Sequence, residues 1–156
     1  IVFAKTRQAA GILMEEFKSH RIKKEYLALV EGEPKEENFC IDAPIGVLNG
    51  SHRGVGDQIK NAKSAKTNVQ WLASKNGYSL LKVVPLSGRT NQIRVHLSSY
   101  GLPIYNDQVY GQGSKDNYQY GLHAWGLEFQ LLDRTMEFRV EPPSHFEPLL
   151  KAAKNK

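Results

Sequence analysis

The residues with the most chemical potential lie together in Ser87-Gly88-Arg89-Thr90-Asn91-Gln92-Ile93-Arg94-Val95-His96-Leu97. Two arginines, an amide pair and a histidine crowd the mouth of an apolar helix there. Thr90 is the expected N-cap, and the unpaired N–H groups of a first turn favour an anion. Arg89 and Arg94 add forked donors that suit phosphate or carboxylate. At helical spacing Arg94 falls beside Thr90 and Ser98, at the edge of the Ile93 and Leu97 stripe, where its partner matters; a solvated arginine is the plain alternative. No side chain has the context of a nucleophile for these groups to serve. The chain opens on Ile1 inside an apolar run, and the expectation is a piece of an enzyme whose key acid lies upstream.

Two further basic stretches accompany the helix mouth. Tyr26 follows His20, Arg21, Lys23 and Lys24 and in a strand shares a face with Lys24 and Ala28. An aromatic ring beside cations is how proteins hold an unstacked base; a core or cross-strand tyrosine is the alternative. Lys60, Lys63 and Lys66 follow a glycine-rich loop with His52 and Arg53, a composition that can track a phosphate backbone.

Other chemistries are excluded or weak. The glycines of that loop match no phosphate-binding or dinucleotide fingerprint. The five histidines lack metal-ligand spacing, so no metal is expected. No serine sits in a nucleophile elbow. Cys40 is the only cysteine, which rules out an internal disulfide; its apolar context reads as a small buried hydrophobe. No signal-peptide pattern or bilayer-length apolar run is present, so a cytoplasmic setting without membrane contact is expected. With 156 residues, 40% of them hydrophobic, one domain over 1–156 is expected. The net charge of +5 favours a polyanionic partner without requiring one.

The elements that must position these groups follow from periodicity and punctuation. Residues 1–4 read as a strand and 6–21 as a helix capped by Thr6, with Ala10, Leu13, Met14 and Phe17 on one stripe. Strands are predicted over 24–30, 39–45, 67–73, 78–85, 122–132 and 135–140. Residues 49–57 read as a hairpin tip or mobile loop, and 111–121 as a surface loop. The helix after Gly88 runs to about Tyr100, with Ile93, Leu97 and Tyr100 inward, and a short helix over 146–154 closes the chain with solvated Lys151, Lys154 and Lys156. Strands in runs joined by turns imply an α+β fold: a mixed, mostly antiparallel sheet flanked by helices.

With those residues in hand, the chain resembles the RluA-like family of RNA pseudouridine synthases. Lys24-Glu25-Tyr26-Leu27-Ala28-Leu29-Val30-Glu31-Gly32 is similar to its tyrosine motif, and Ala62-Lys63-Ser64-Ala65-Lys66-Thr67 to its Gly-Lys-x-Ala-x-Thr segment. Ser87 to Leu97 resembles its Gly-Arg-Thr-His-Gln-Ile-Arg-Val-His motif, and Pro103 to Gly111 the Pro-Ile-x-Gly-Asp-x-x-Tyr-Gly that follows. Leu122-His123-Ala124 fits a late strand, and residues 1–6 resemble the strand just after the family's Arg-Leu-Asp motif. Asn91 stands in place of histidine and Asn106 in place of glycine, both read as family variation.

The resemblance implies the pseudouridine synthase fold, here without its N-terminal part, and isomerisation of uridine in ribosomal or transfer RNA. It implies no metal or organic cofactor and no obligate protein partner. Arg94 would pair with a nucleophilic aspartate and keep it ionised. Tyr26 would stack on the flipped base, while Arg89, Gln92, Lys24 and Lys63 would contact RNA. The Arg-Leu-Asp motif itself is absent; none of Asp42, Asp57, Asp107, Asp116 or Asp133 has its context, and Asp107 belongs to another motif. The chain alone is therefore expected to be inactive. The alternative is a non-catalytic RNA-binding module on the same fold, and a weaker one is a structural fragment whose arginines are solvated.

Overall fold

A computed structural model describes residues 2–19, 21–114 and 118–154. The expectations for Ile1, His20, Asp116 and Lys156 lie outside the described residues. The chain order is α1 (Arg7–Lys18), β1 (Lys23–Glu31), β2 (Asn38–Asp42), β3 (Ile45–Asn49), β4 (His52–Val55), β5 (Lys66–Lys75), β6 (Tyr78–Pro85), α2 (Gln92–Ser99), β7 (Leu122–Leu131), β8 (Arg134–Arg139), a 3-10 turn (Ser144–Phe146) and α3 (Glu147–Lys154). Six strands form one sheet in the order β2-β5-β6-β1-β7-β8, and β3 and β4 form a separate ribbon. Every pairing among the described strands is antiparallel.

β1 is central and its alternation explains both cores. Ala28 and Val30, with Leu81, Val83, Val69 and Ile41, face α2 and bury against its Ile93 and Leu97. Leu27 and Leu29, with Leu80 and Ala73, face the other way and bury against Phe146 and Leu149 of the closing helical segment. One residue of offset sends a side chain to the opposite layer, so Tyr26 belongs to the α2 side and Glu25 to the α3 side. The register slips between Glu25 and Tyr26, which pair with Gly126 and Ala124 and leave Trp125 as the extra residue of a bulge.

Several expectations are corrected. Residues 2–4 form no strand, because among the described residues nothing pairs with them; Phe3 is 83% exposed. Thr6 does cap α1, accepting from the Ala9 N–H at 3.1 Å. The predicted apolar stripe of α1 is largely uncovered, with Met14 69% exposed, because the helix packs beside β7 rather than over a core. The run 39–45 is two strands, since Pro44 cannot donate to a ladder and the chain leaves the main sheet there. Cys40 is exposed, not buried: on edge strand β2 it points away from the core that Phe39 and Ile41 face. Residues 49–57 contain the ribbon's turn and all of β4, so the hairpin reading holds with more strand than expected. Tyr100 is exposed and stacks on Phe39, ring centroids 4.6 Å apart.

Candidate functional site

Four segments that the chain keeps far apart meet on the α2 side of the sheet: β1, the 63–66 stretch, the 87–94 turn into α2, and the described parts of the loop between α2 and β7, 105–114 and 118–121. The turn is the organiser. Asn91, not Thr90, caps α2; it has φ 57° and makes no side-chain capping bond. Asparagine tolerates this left-handed conformation better than threonine, whose branched side chain resists it. The Asn91 side chain is thereby turned toward Arg94, whose Nη1 donates to its Oδ1 at 3.3 Å.

Gln92 corrects an expectation. Proposed from its motif as an RNA contact, it is 4% exposed and spends its amide internally. Its Oε1 accepts from the Ser87 hydroxyl at 2.7 Å and the Arg89 N–H at 3.0 Å. Its Nε2 donates to the Lys66 carbonyl and the Thr67 hydroxyl, both at 3.0 Å. An amide has about four such bonds to make, so none is left for a ligand. Gln92 is a brace that ties the turn to β5. His96 extends it, with Nδ1 2.9 Å from the Thr67 hydroxyl and Nε2 2.9 Å from the Ala43 carbonyl. A carbonyl can only accept, so Nε2 carries the proton and Nδ1 accepts from Thr67, the neutral tautomer. Burial holds the His96 pKa below its ordinary value, partly opposed by the bond to Ala43.

Arg94, expected to pair with a carboxylate absent from the chain, already has one within it. Its Nε donates to Asp107 Oδ2 at 2.8 Å and its Nη2 to Asp107 Oδ1 at 2.7 Å, a two-point fork. Asp107 is 0% exposed. Its Oδ1 also accepts from the Val109 and Tyr110 N–H groups at 2.9 and 3.0 Å, and its Oδ2 from the Tyr120 hydroxyl at 3.2 Å. Burial alone would raise its pKa; the Arg94 fork and the two backbone donors outweigh that and hold it at about 2. Asp107 is thus ionised at neutral pH and fully engaged. The guanidinium carbon lies 5.0 Å from the Tyr110 ring centroid and 6.0 Å from that of Tyr120. Burial, and the adjacent Asp107 charge, push the Tyr120 pKa up, so it stays a hydrogen-bond donor. The Arg94 side chain as a whole remains 25% exposed.

Tyr26 and Tyr120 are both half-buried against the core cluster that contains Ile93 and Leu97, and the Tyr120 ring centroid is 6.0 Å from the Arg94 guanidinium carbon. Burial raises the Tyr26 pKa, and its hydroxyl makes no hydrogen bond among the described residues. Lys24, two residues earlier on the same face, has its Nζ 3.7 Å from where a side chain on Gly88 would begin. It is half-buried, and burial lowers its pKa. Arg89 donates from Nε to the Ser64 carbonyl at 3.0 Å, which joins the turn to the 63–66 stretch. Lys63 is exposed there, its backbone paired in both directions with Ile45 at 2.9 Å. Among the described residues no cluster of side chains could hold a metal ion, and no helix is long and apolar enough to cross a membrane.

Sequence reasoning missed Asp107, Tyr110 and Tyr120 as members of this site. Asp107 and Tyr110 stood in a recognised motif, but nothing in spacing alone links a loop at 107 to a helix at 94. Residues 111–121 are less of a surface loop than expected, since Tyr120 reaches Asp107 and Gly121 is buried, its N–H on the Tyr105 carbonyl at 3.0 Å.

The family model described as RNA pseudouridylate synthase matches residues 1–99, more than half of the chain. Over 137 residues the chain is 38% identical to ribosomal large subunit pseudouridine synthase D of Nitrosomonas europaea, covering 82% of this chain and 39% of the relative. It is 33% identical over 159 residues to ribosomal large subunit pseudouridine synthase C of Vibrio parahaemolyticus, covering 96% and 50%. The solved structure of human RNA pseudouridylate synthase domain containing 1 superposes with a TM-score of 0.80 at 31% identity, covering 96% of this chain and 66% of that one. The fold is therefore that of pseudouridine synthases, an antiparallel-rich sheet with flanking helices. The chain belongs to the RNA pseudouridine synthase family, in its RluA-like branch, and spans half or less of the length of the two bacterial relatives.

Proposed function

We propose that the protein carrying this chain isomerises uridine to pseudouridine in RNA, with ribosomal RNA the first substrate to test and transfer RNA the second. The observation that carries this reading is Arg94. Its fork is immobilised on one edge by Asp107 while its side chain keeps 25% exposure, and Tyr120 beside it packs on the same core cluster as Tyr26. An open, oriented guanidinium is suited to hold a second carboxylate ionised. In the family's reaction that carboxylate acts as nucleophile or base at the sugar–base step: the C1′–N1 bond breaks, the base turns, C1′ bonds to C5, and the proton lost from C5 is balanced by one gained at N1. It comes from outside these 156 residues. Asp107 is fully engaged; Asp42 pairs with Lys66 at the surface and Asp57 and Asp133 are exposed.

The remaining roles follow from chemistry. Tyr26 stacks on the base taken out of the helix, and its raised pKa keeps it a neutral phenol able to donate a proton. Lys24, beside Gly88, and exposed Lys63 hold phosphates; so does Arg89 with the donors left free by its bond to Ser64. They give affinity with little sequence choice. No metal or organic cofactor takes part in these steps. The test is full-length protein with Arg94→Ala, assayed for pseudouridine in ribosomal RNA by carbodiimide reactivity. Turnover should vanish while RNA binding persists. Normal turnover by that variant removes the role of Arg94, and an unsubstituted protein that binds RNA but forms no pseudouridine is instead a non-catalytic RNA-binding module. The 156-residue chain alone should form none.

A further inference from the structure

We infer that Asp107 is a positioning residue for the reaction: it sets the direction in which Arg94 presents its free N–H groups, with Tyr120 and Asn91 holding the other sides of the fork. The inference rests on the reading of Arg94 given above. A guanidinium has five N–H donors in a rigid plane. Two are taken by the two oxygens of Asp107, and one by Asn91 Oδ1 at 3.3 Å. Two remain, one on Nη1 and one on Nη2. Rotation about the side chain would break both Asp107 bonds, and motion out of the plane is limited by the rings of Tyr110 and Tyr120.

The anchor itself is immobile. Asp107 Oδ1 is held by two backbone N–H groups, and the Asp107 carbonyl accepts from Gly111 and Gly113 at 3.0 and 3.1 Å while its own N–H donates to the Ile104 carbonyl at 3.1 Å. The carboxylate is therefore fixed by the chain, independently of the arginine it meets. With no exposed surface Asp107 cannot touch a substrate, so any effect on turnover passes through Arg94. Its charge also offsets part of the Arg94 charge, so a second carboxylate is held by geometry more than by brute attraction. A lysine at position 94 could neutralise the same acid but has no planar fork to orient.

The experiment is a double-mutant cycle in the full-length protein, with kcat on ribosomal RNA, RNA Kd and Tm measured for each member. Asp107→Asn should lower kcat about 100-fold with Kd within about twofold, the cost expected when a reacting group is misdirected by an ångström or so. In an Arg94→Lys background, itself impaired, the same change should cost less than about threefold, because no fork is left to orient. A purely structural Asp107 would lower kcat by the same factor in both backgrounds, and that result overturns the inference, as does unchanged kcat in Asp107→Asn. If Asp107→Asn does not fold, Tyr120→Phe and Asn91→Ala take its place in the cycle. A kcat loss confined to the Arg94 background supports the inference and no loss overturns it. Wild-type kcat in Arg94→Lys alone defeats the underlying reading of Arg94 and the inference with it. An impaired Arg94→Lys with a fully active Asp107→Asn defeats the inference only.

Discussion

Two buried carboxylates, Asp107 on the α2 side and Glu25 on the α3 side, solve the same problem in different ways. Burial pushes the pKa of each up, and surrounding donors and cations bring each below its ordinary value. Glu25 does it with three loosely placed cations, Lys82 at 2.9 Å, Arg139 at 3.4 Å and Lys23 at 3.6 Å. Two of these, Lys82 and Arg139, also lie over the Trp125 ring. All three are partly exposed and can turn to water. Asp107 does it with one arginine held at two points plus two backbone donors and a phenol. The first arrangement neutralises a charge and leaves its partners free to move; the second also dictates a direction. A site that must aim a guanidinium needs the second kind.

Breaking each acid should expose that difference. Asp107→Ala leaves Arg94 half-buried without its counter-ion and should cost about 3 kcal/mol in chemical denaturation. Glu25→Gln should cost about 1 kcal/mol, since its cations relax into solvent. Equal costs would mean that geometry adds nothing at Asp107.

Acid sharpens the same contrast. The folded Asp107 pKa of about 2 lies below its ordinary 3.8, so its contribution is complete above pH 4 and is lost as pH falls toward 2. That is about 2 kcal/mol in the window, at about 1.4 kcal/mol per pKa unit. His96 acts earlier. Its folded pKa lies below the ordinary value near 6.5, so the unfolded chain takes up a proton that the folded one refuses, and stability begins to fall as pH drops below about 6.5. Denaturation midpoints followed from pH 8 to 2 should therefore decline in two stages, and His96→Gln should abolish the first.

Two glycines beside the two acids extend the contrast, and one of them gives the smallest effect. A side chain on Gly113 would begin 2.6 Å from the backbone of Asn106, which cannot yield without moving Asp107. Gly113→Ala should cost about 2 kcal/mol. On Gly126 the nearest atom is the flexible Glu25 carboxylate at 3.3 Å. Gly126→Ala should change Tm by about a degree or less. A large loss at Gly126 would show that the Glu25 cluster is as rigid as the Asp107 loop.

Much of this was legible in the residues themselves. Strands announced themselves by alternation, the helix end at Gly101 by its glycine, and the tyrosine and arginine motifs by their cations. What hid was set by partners distant in the chain. The 39–45 run looks continuous until Pro44 sends it to a second ribbon. Cys40 looks buried until β2 proves to be an edge. The Met14 and Phe17 stripe looks like core until α1 comes to rest beside β7. Gln92 and Arg94 are both polar and adjacent to the same helix mouth, yet one faces β5 and the other the loop at 107, a distinction only the rotation of α2 makes. Asn91 and Asn106, read as variation, both sit at positive φ, which explains why asparagine serves at 106 where glycine is usual.

The central strand has a temporal consequence. β1 ends at residue 31, but its two neighbours, β6 and β7, begin only at residues 78 and 122. As the polypeptide leaves the ribosome, one margin of β1 waits for about fifty residues and the other for about ninety before its ladder can close, a delay that slows acquisition of the native state. Tyr26 rides on that strand, so its flank is closed only once β7, which ends at residue 131, has been synthesised.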